Sequence, residues 1–378
     1  MQNEIWTDGI NREIKSAPPL DLVDFPVAVL DAKVSVSRPA KGGPPLFIHA
    51  REGAFATLAD AQAWLAANRA ALDALILEHG GIVLRDFPIA SAADFDQFIA
   101  GFPTYQRGYK GGAGPRARIT GNVMEATQLN EKMLILLHQE MAYTKAYPPR
   151  IAFYCHKPAE VAGETLIADM KEFDVLIPAD LRERLERLGS RTSRNCAPSG
   201  ARGTRVDDHL DKRGWDVSFD TDDRDDVERQ CKELGLVPIW NDDDSLTLIA
   251  DLPVFDRHPI TGVRLYRSYL HSQSWLDRPE SRKAIAEMGR EQKTQSQQMY
   301  GNGEPFPTEE ANLLNRLFAQ TTRAWPWQKD DVMVLDNFLV AHGRSPYSGT
   351  RDVQVALLDH PGGYPLQGAA NVEESISA

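Results

Sequence analysis

The chain has 378 residues, 42% of them hydrophobic and 25% charged, with a net charge of −12. That length supports one large core or two modest ones, and the composition is that of a globular protein. An acidic balance with no basic stripe argues against a nucleic-acid binder; no apolar run reaches the roughly 20 residues that span a bilayer; and Cys155, Cys196 and Cys231, none in C-x-x-C spacing, argue against a disulfide scaffold.

The first residues, Met1 to Trp6, carry no basic and then apolar signal, so the cytoplasm is the expected location. Residues 1–53 form a Pro- and Gly-rich N-terminal extension with short strand-like pieces at 25–30 and 45–49. Residues 57–79 read as one amphipathic helix, capped by Thr57 and stopped by Gly80-Gly81. Residues 82–87 read as a buried strand, and Ser91 caps a second helix with Phe95, Phe98 and Ile99 on one face. Residues 101–125 are Gly-rich and read as a loop; long loops of this kind are often functional, and a lid bearing Tyr109 and Arg116 is one reading.

From residue 134 the texture turns to β, with strand candidates at 134–138, 151–156 and 165–169. Residues 171–190 read as a helix. Residues 192–260 read as an insertion of charged loops with a short helix near 224–235. Its acidic runs, Asp222 to Asp226 and Asp242 to Asp244, read as solvated loops, since neither has the ligand spacing of a calcium loop. Residues 266–271 read as a strand and 279–325 as two helices broken at 301–307. Strands return at 332–336, 339–342 and 353–358, and residues 365–378 read as a flexible tail.

Strands on both sides of a large insertion predict an α+β fold. Its expected core is a double-stranded β-helix, a cupin-like jelly roll with flanking helices, forming one domain over 1–378. Early and late strands pair in such a fold, which would bring His342 to His138 and Glu140. In His138-Gln139-Glu140, residues i and i+2 of a strand share a face, so His138 and Glu140 would both point into the barrel mouth. Two imidazoles and one carboxylate are a ligand set for Fe(II) that leaves coordination positions open for chemistry. Each residue alone reads as a core histidine or an ordinary acid; the combination with Arg351 changes that reading. A guanidinium returning to the barrel interior after the turn at 345–350 matches a carboxylate in bidentate fashion, as lysine would not.

The segments Leu137 to Tyr143, Pro149 to Cys155, Gly163 to Asp169 and Leu335 to Arg344 resemble the TauD/TfdA family of Fe(II)- and 2-oxoglutarate-dependent dioxygenases. The likeness covers roughly residues 70–360 and is closest to the branch of SyrP-like and clavaminate synthase-like amino-acid hydroxylases. It implies that His138, Glu140 and His342 are the iron ligands, and that Thr165 and Arg351 hold the 2-oxoglutarate carboxylate, with O2 as the second co-substrate. Glu140 stands where most members have Asp, and Ala162 where the family's Gly-Gly-x-Thr has its first glycine. Because Glu140 fills the position that related halogenases leave to chloride, the resemblance implies oxygen insertion or desaturation.

The resemblance favours β-carbon hydroxylation of an amino acid, free or tethered to a carrier protein, in secondary metabolism. Desaturation or cyclisation, or sulfonate catabolism, are the alternatives within the family. Tyr109, Arg116, Asn122, Tyr143 and Asn337 are the candidate substrate contacts, each with a plain reading as packing or turn residue. Outside the family, a non-catalytic cupin-like metal binder, a zinc hydrolase and a structural interaction protein are the rivals; the hydrolase lacks the H-E-x-x-H spacing. The sequence leaves a homo-oligomer open.

Overall fold

The computed structural model describes residues 14–112, 116–127, 129–201, 213–277 and 296–362. Its largest element is a nine-stranded sheet. Across the sheet run Leu22–Asp24, Val34–Pro39, Leu46–Ala50, Gly81–Arg85, Val332–Asp336, Arg150–Lys157, Asp352–Leu358, Val123–Glu125 and Arg118–Thr120. All neighbours are antiparallel except Leu46–Ala50 with Gly81–Arg85. The central strands are buried on both faces, which is why they read as apolar runs. Ala152, Tyr154, Val332, Val334, Ala356 and Leu358 face the helices Leu58–Ala67, Arg69–His79 and Ala92–Ile99. Ile151, Phe153, Cys155, Met333, Leu335, Val353, Val355 and Leu357 face the opposite core. One end of the sheet is tied by Arg85, whose Nε and Nη2 donate to the two Asp331 oxygens at 2.8 and 2.7 Å.

A four-stranded sheet covers that inner core: Thr322–Arg323, Thr165–Asp169, Val340–Arg344 and Ile135–His138, in that order and all antiparallel. Behind it lie the helices Met170–Leu176, Ala179–Leu188 and Thr308–Thr321, with Phe173 stacked on Phe318 at 3.8 Å. No helix among the described residues is long and apolar enough to cross a membrane.

Several local expectations need correction. The helix expected over 57–79 is two helices meeting at Asn68, whose side chain donates to the Trp64 carbonyl at 2.9 Å. Asparagine competes for backbone hydrogen bonds in this way, and so breaks the run. Thr57 and Ser91 cap as expected, each accepting from the backbone N–H three residues on. The helix expected over 171–190 is split at Pro178, which lacks the N–H a continuous helix needs. The strand piece at 25–30 is irregular, and the pairing strands there are Leu22–Asp24 and Val34–Pro39. The 101–125 loop ends in two short strands on the sheet edge. Tyr266 ends a strand that begins at Arg264, and Leu270–Asp277 is a 3-10 helix.

The insertion is a sheet, not a set of loops. Ser190–Cys196 lies between Leu246–Leu252 and Ser296–Tyr300, with Val237–Trp240 on the outside. Residues 296–300, expected to be helical, pair with Ser190–Arg194 because the Thr192 hydroxyl donates to a buried Gln298 amide oxygen at 2.7 Å. Tertiary pairing overrides local preference here. The helix expected around 224–235 is present as Arg224–Leu234. The first of the two helices expected over 279–325 and the 365–378 tail fall on residues outside those described.

Candidate active site

The strand Ile135–His138 ends on an imidazole, and antiparallel pairing with Val340–Arg344 sets His342 directly opposite it. Cross-strand partners share a face, and the two rings lie 4.5 Å apart. On the next strand Ile167 opposes His342 and Thr165 opposes Arg344, so His138, His342 and Thr165 all point toward the inner core. Phe153 of the large sheet meets the His342 ring edge-on at 5.2 Å.

Glu140 reaches the same place by a different route from the one expected. The strand stops at His138, and Glu140 opens a turn in which Met141 takes a left-handed conformation, φ 57°. Two brackets fix that turn. Gln139 turns away and donates to the Phe338 carbonyl at 2.8 Å. Asn337 accepts from the Glu140 N–H at 2.7 Å and donates to the carbonyls of Glu140 and Pro148 at 2.9 and 2.8 Å. One ligand atom from each of His138, Glu140 and His342 lies within 4.8 Å of the others, with Glu140 Oε2 3.8 Å from His342 Nε2. Glu140 and His342 are buried, at 2% and 4% exposure.

The protonation states suit a metal. Burial, reinforced by His342, lowers the His138 imidazole to about 4, so it is neutral at pH 7. Its Nδ1 lies 2.8 Å from the Leu136 carbonyl; donating there leaves Nε2 as the ligand atom. Burial alone would raise Glu140, but Arg116 and the two histidines hold it well below the usual carboxylate range. Arg116 Nη2 donates to Glu140 Oε2 at 2.5 Å. An ionised Glu140 and a neutral His138, with the His342 ring opposite them, are a fitting donor set for a divalent transition metal.

Arg351 Nε donates to the Gly163 carbonyl at 2.7 Å, and the guanidinium lies 5.9 Å from the Tyr347 ring centre. It has no carboxylate partner among the described residues, and burial lowers it to about 10. Thr165 Oγ accepts from the Trp327 indole at 3.2 Å. A side chain at Gly163 would press Arg351 Cδ at 3.1 Å, so glycine is what lets the arginine close in. Ala162, where the family's first glycine would stand, keeps the left-handed backbone of a glycine, φ 59°. Such a conformation costs roughly 1–2 kcal/mol for a residue with a Cβ. Ala162→Gly is therefore expected to stabilise the fold by roughly 0.5–1 kcal/mol in urea unfolding; a loss of stability would show that the turn carries no such strain.

The expected substrate contacts scatter. Arg116 lies 4.4 Å over the Tyr109 ring and on Glu140, which brings both residues to the triad. Tyr143 packs against Tyr269 at 5.8 Å, and Tyr269 in turn meets the His138 ring at 6.0 Å. Asn122 is exposed on the sheet-edge turn, bonded to Asp96 and Thr104, away from the triad. Asn337 is spent on the Glu140 turn. Asn337→Ala should weaken Fe(II) binding about 10–100-fold, the usual cost of losing an outer partner; unchanged affinity by calorimetry would show that the turn holds itself. Sequence reasoning missed Tyr269, Arg194 and Arg213, which lie on the insertion side. Arg194 sits in a polar strand, Ser190–Cys196, whose alternation buries every second residue without an apolar pattern to show it.

Two imidazoles and one carboxylate at a β-sheet mouth, with a buried guanidinium nearby, define the metal centre of a non-haem iron oxygenase. The chain belongs to the TauD/TfdA family: the family model described as taurine catabolism dioxygenase TauD, TfdA family, matches residues 43–357. It is similar to the dapdiamide synthesis protein DdaC of Enterobacter agglomerans, 28% identical over 290 residues, 76% of this chain and 84% of the relative. It is also similar to a clavaminate synthase-like protein of Arabidopsis thaliana, 28% identical over 296 residues, 76% of this chain and 83% of the relative. The PvcB protein of Pseudomonas aeruginosa aligns in structure with a TM-score of 0.48 at 16% identity, covering 89% of this chain and 95% of that one. The enzyme is a 2-oxoglutarate-dependent oxygenase with Fe(II) as cofactor.

Proposed function

We propose that His138, Glu140 and His342 hold the Fe(II), that Arg351 and Thr165 hold the distal carboxylate of 2-oxoglutarate, and that the enzyme hydroxylates an unactivated C–H, the β-carbon of an amino acid. The observation that carries the assignment is the convergence of three ligand atoms within 4.8 Å from segments far apart in the chain. We read the whole chain as one catalytic domain and its two facing sheets as the halves of a double-stranded β-helix.

Iron with 2-oxoglutarate and O2 supplies the oxidising power for the C–H bond. The protein's own residues orient and exclude. Asn337 and Gln139 fix the carboxylate turn. Leu136 sets the His138 ring. Phe153 and the core behind the two sheets keep water from the inner face. Arg351 offers its two terminal nitrogens to a carboxylate, its Nε being held by the Gly163 carbonyl. The amino-acid reading rests on the relatives, one named for the synthesis of dapdiamide and the other clavaminate synthase-like.

Anaerobic addition of Fe(II) and then 2-oxoglutarate should produce a weak visible charge-transfer band. Its absence with both bound would overturn the co-substrate assignment. Arg351→Ala should raise the 2-oxoglutarate concentration for half-saturation of that band at least tenfold and leave Fe(II) binding within twofold. An unchanged titration would move the anchor to another residue.

A further inference from the structure

Three guanidiniums converge on the insertion side of the triad, against a single carboxylate. Arg116 is held by Glu140, while its Nε and Nη1 are buried without a partner. Arg194, 7% exposed, lies 4.4 Å over the Tyr143 ring with its Nη1 buried and unpartnered. Arg213 Nη2 donates to the Gly112 carbonyl at 3.2 Å. Among the described residues no carboxylate forms an ion pair with Arg194 or Arg213. The two guanidiniums feel each other: burial and the charge of Arg194 both lower Arg213 from its ordinary value. Tyr269 meets the His138 ring at 6.0 Å and the Tyr143 ring at 5.8 Å, and Arg194 stacks on that same Tyr143, so the two tyrosines link the triad to this cationic cluster.

Buried charge without a counter-charge is strongly unfavourable. The stack on Tyr143 offsets only part of that for Arg194. Glu140 cannot balance the cluster, because its charge is committed to the metal once iron is bound. The missing counter-charge is an anion that arrives with the substrate.

We propose that Arg194 and Arg213, with Arg116 beside them, seat a carboxylate of the amino-acid substrate, and that Tyr143 and Tyr269 wall the path from that seat to the metal. The seat takes Arg194 and Arg213 from the insertion and shares no neighbour with Arg351, which sits on Gly163 and near Tyr347, so substrate and co-substrate acids have separate partners. This deepens the proposed function and rests on it. A carboxylate here has two sources: the α-carboxylate of a free amino acid, or the side-chain carboxylate of one whose α-carboxyl is tied up as a carrier thioester.

The test uses the full chain loaded with Mn(II) and 2-oxoglutarate, so that metal and co-substrate positions are filled. It is titrated calorimetrically with L-aspartate, L-asparagine, L-isoasparagine and L-aspartamide. At least one of the three acids should bind, and the diamide, which has no carboxylate, should bind at least tenfold more weakly. Arg194→Met and Arg213→Met should each lose at least tenfold in affinity for that acid while Mn(II) and 2-oxoglutarate bind within twofold of wild type, which also shows the site intact. Binding of asparagine but not isoasparagine assigns the seat to a free α-carboxylate; the reverse assigns it to a side-chain carboxylate. Arg194→Lys keeps the charge without the fork and should retain part of the affinity. The proposal fails if the diamide binds as well as the acids, if no acid binds to the loaded wild type, or if both methionine variants bind unchanged. If Mn(II) or 2-oxoglutarate itself fails to bind wild type, the parent reading falls instead.

Discussion

Alanine in place of His342 is expected to remove Fe(II) binding and turnover together. The loss should exceed the roughly 10–100-fold that removal of an outer partner brings, because a ligand itself is gone. His138→Ala should behave alike, since the two rings are cross-strand partners 4.5 Å apart and neither can take the other's place. The fold should survive His342→Ala. The imidazole is buried with Nδ1 unpartnered, and Glu140, which faces its Nε2, keeps the bond from Arg116, so its removal leaves no carboxylate stranded. A competition titration against a chromophoric chelator, followed by an assay of 2-oxoglutarate decarboxylation, measures both effects. Undiminished decarboxylation by either variant would refute the assignment of the metal centre.

Gly343→Val should be the more disruptive change to the fold. Gly343 sits between His342 and Arg344, where the pairing with Ile135–His138 slips register. A Cβ there would lie 2.5 Å from the Ile135 carbonyl oxygen and 3.2 Å from the Leu136 carbonyl carbon. Both are backbone atoms and cannot swing aside as a side-chain tip would, so the two histidine strands must part. Overpacking of this kind costs roughly 1–3 kcal/mol or more. We expect a fall of that size in urea unfolding, together with at least a tenfold loss of metal affinity as the rings separate. Wild-type stability and wild-type affinity in the valine variant would show that the strands tolerate a wider gap.

The site was legible in the sequence to the extent that chemistry is specific. His138, Glu140 and His342 stand out in combination, because few structural roles need two imidazoles and a carboxylate at the ends of apolar runs. The central strands were legible because both of their faces are buried. What failed was polar or conditional. The strand Ser190–Cys196 has no apolar stripe, and its buried positions are Ser190, Thr192, Arg194 and Cys196. Ser296–Tyr300 reads as helical until Thr192 and Ser190–Arg194 are there to pair with it. Asn337 reads as an ordinary turn residue, since its partners, Glu140 and Pro148, are distant in the chain. Arg194 and Arg213 could not be told from surface arginines without the aromatic walls around them.

The apolar cluster under the insertion is completed by Met141, Tyr143 and Ala146, the residues directly after Glu140. The segment that supplies the carboxylate ligand is therefore wedged into the insertion as firmly as into the main body. Excising the insertion would strip the wall from behind the iron-binding glutamate. Any exchange of that region for a different one, in the laboratory or over evolution, has to preserve the patch that grips Met141 even where everything facing the substrate is rewritten.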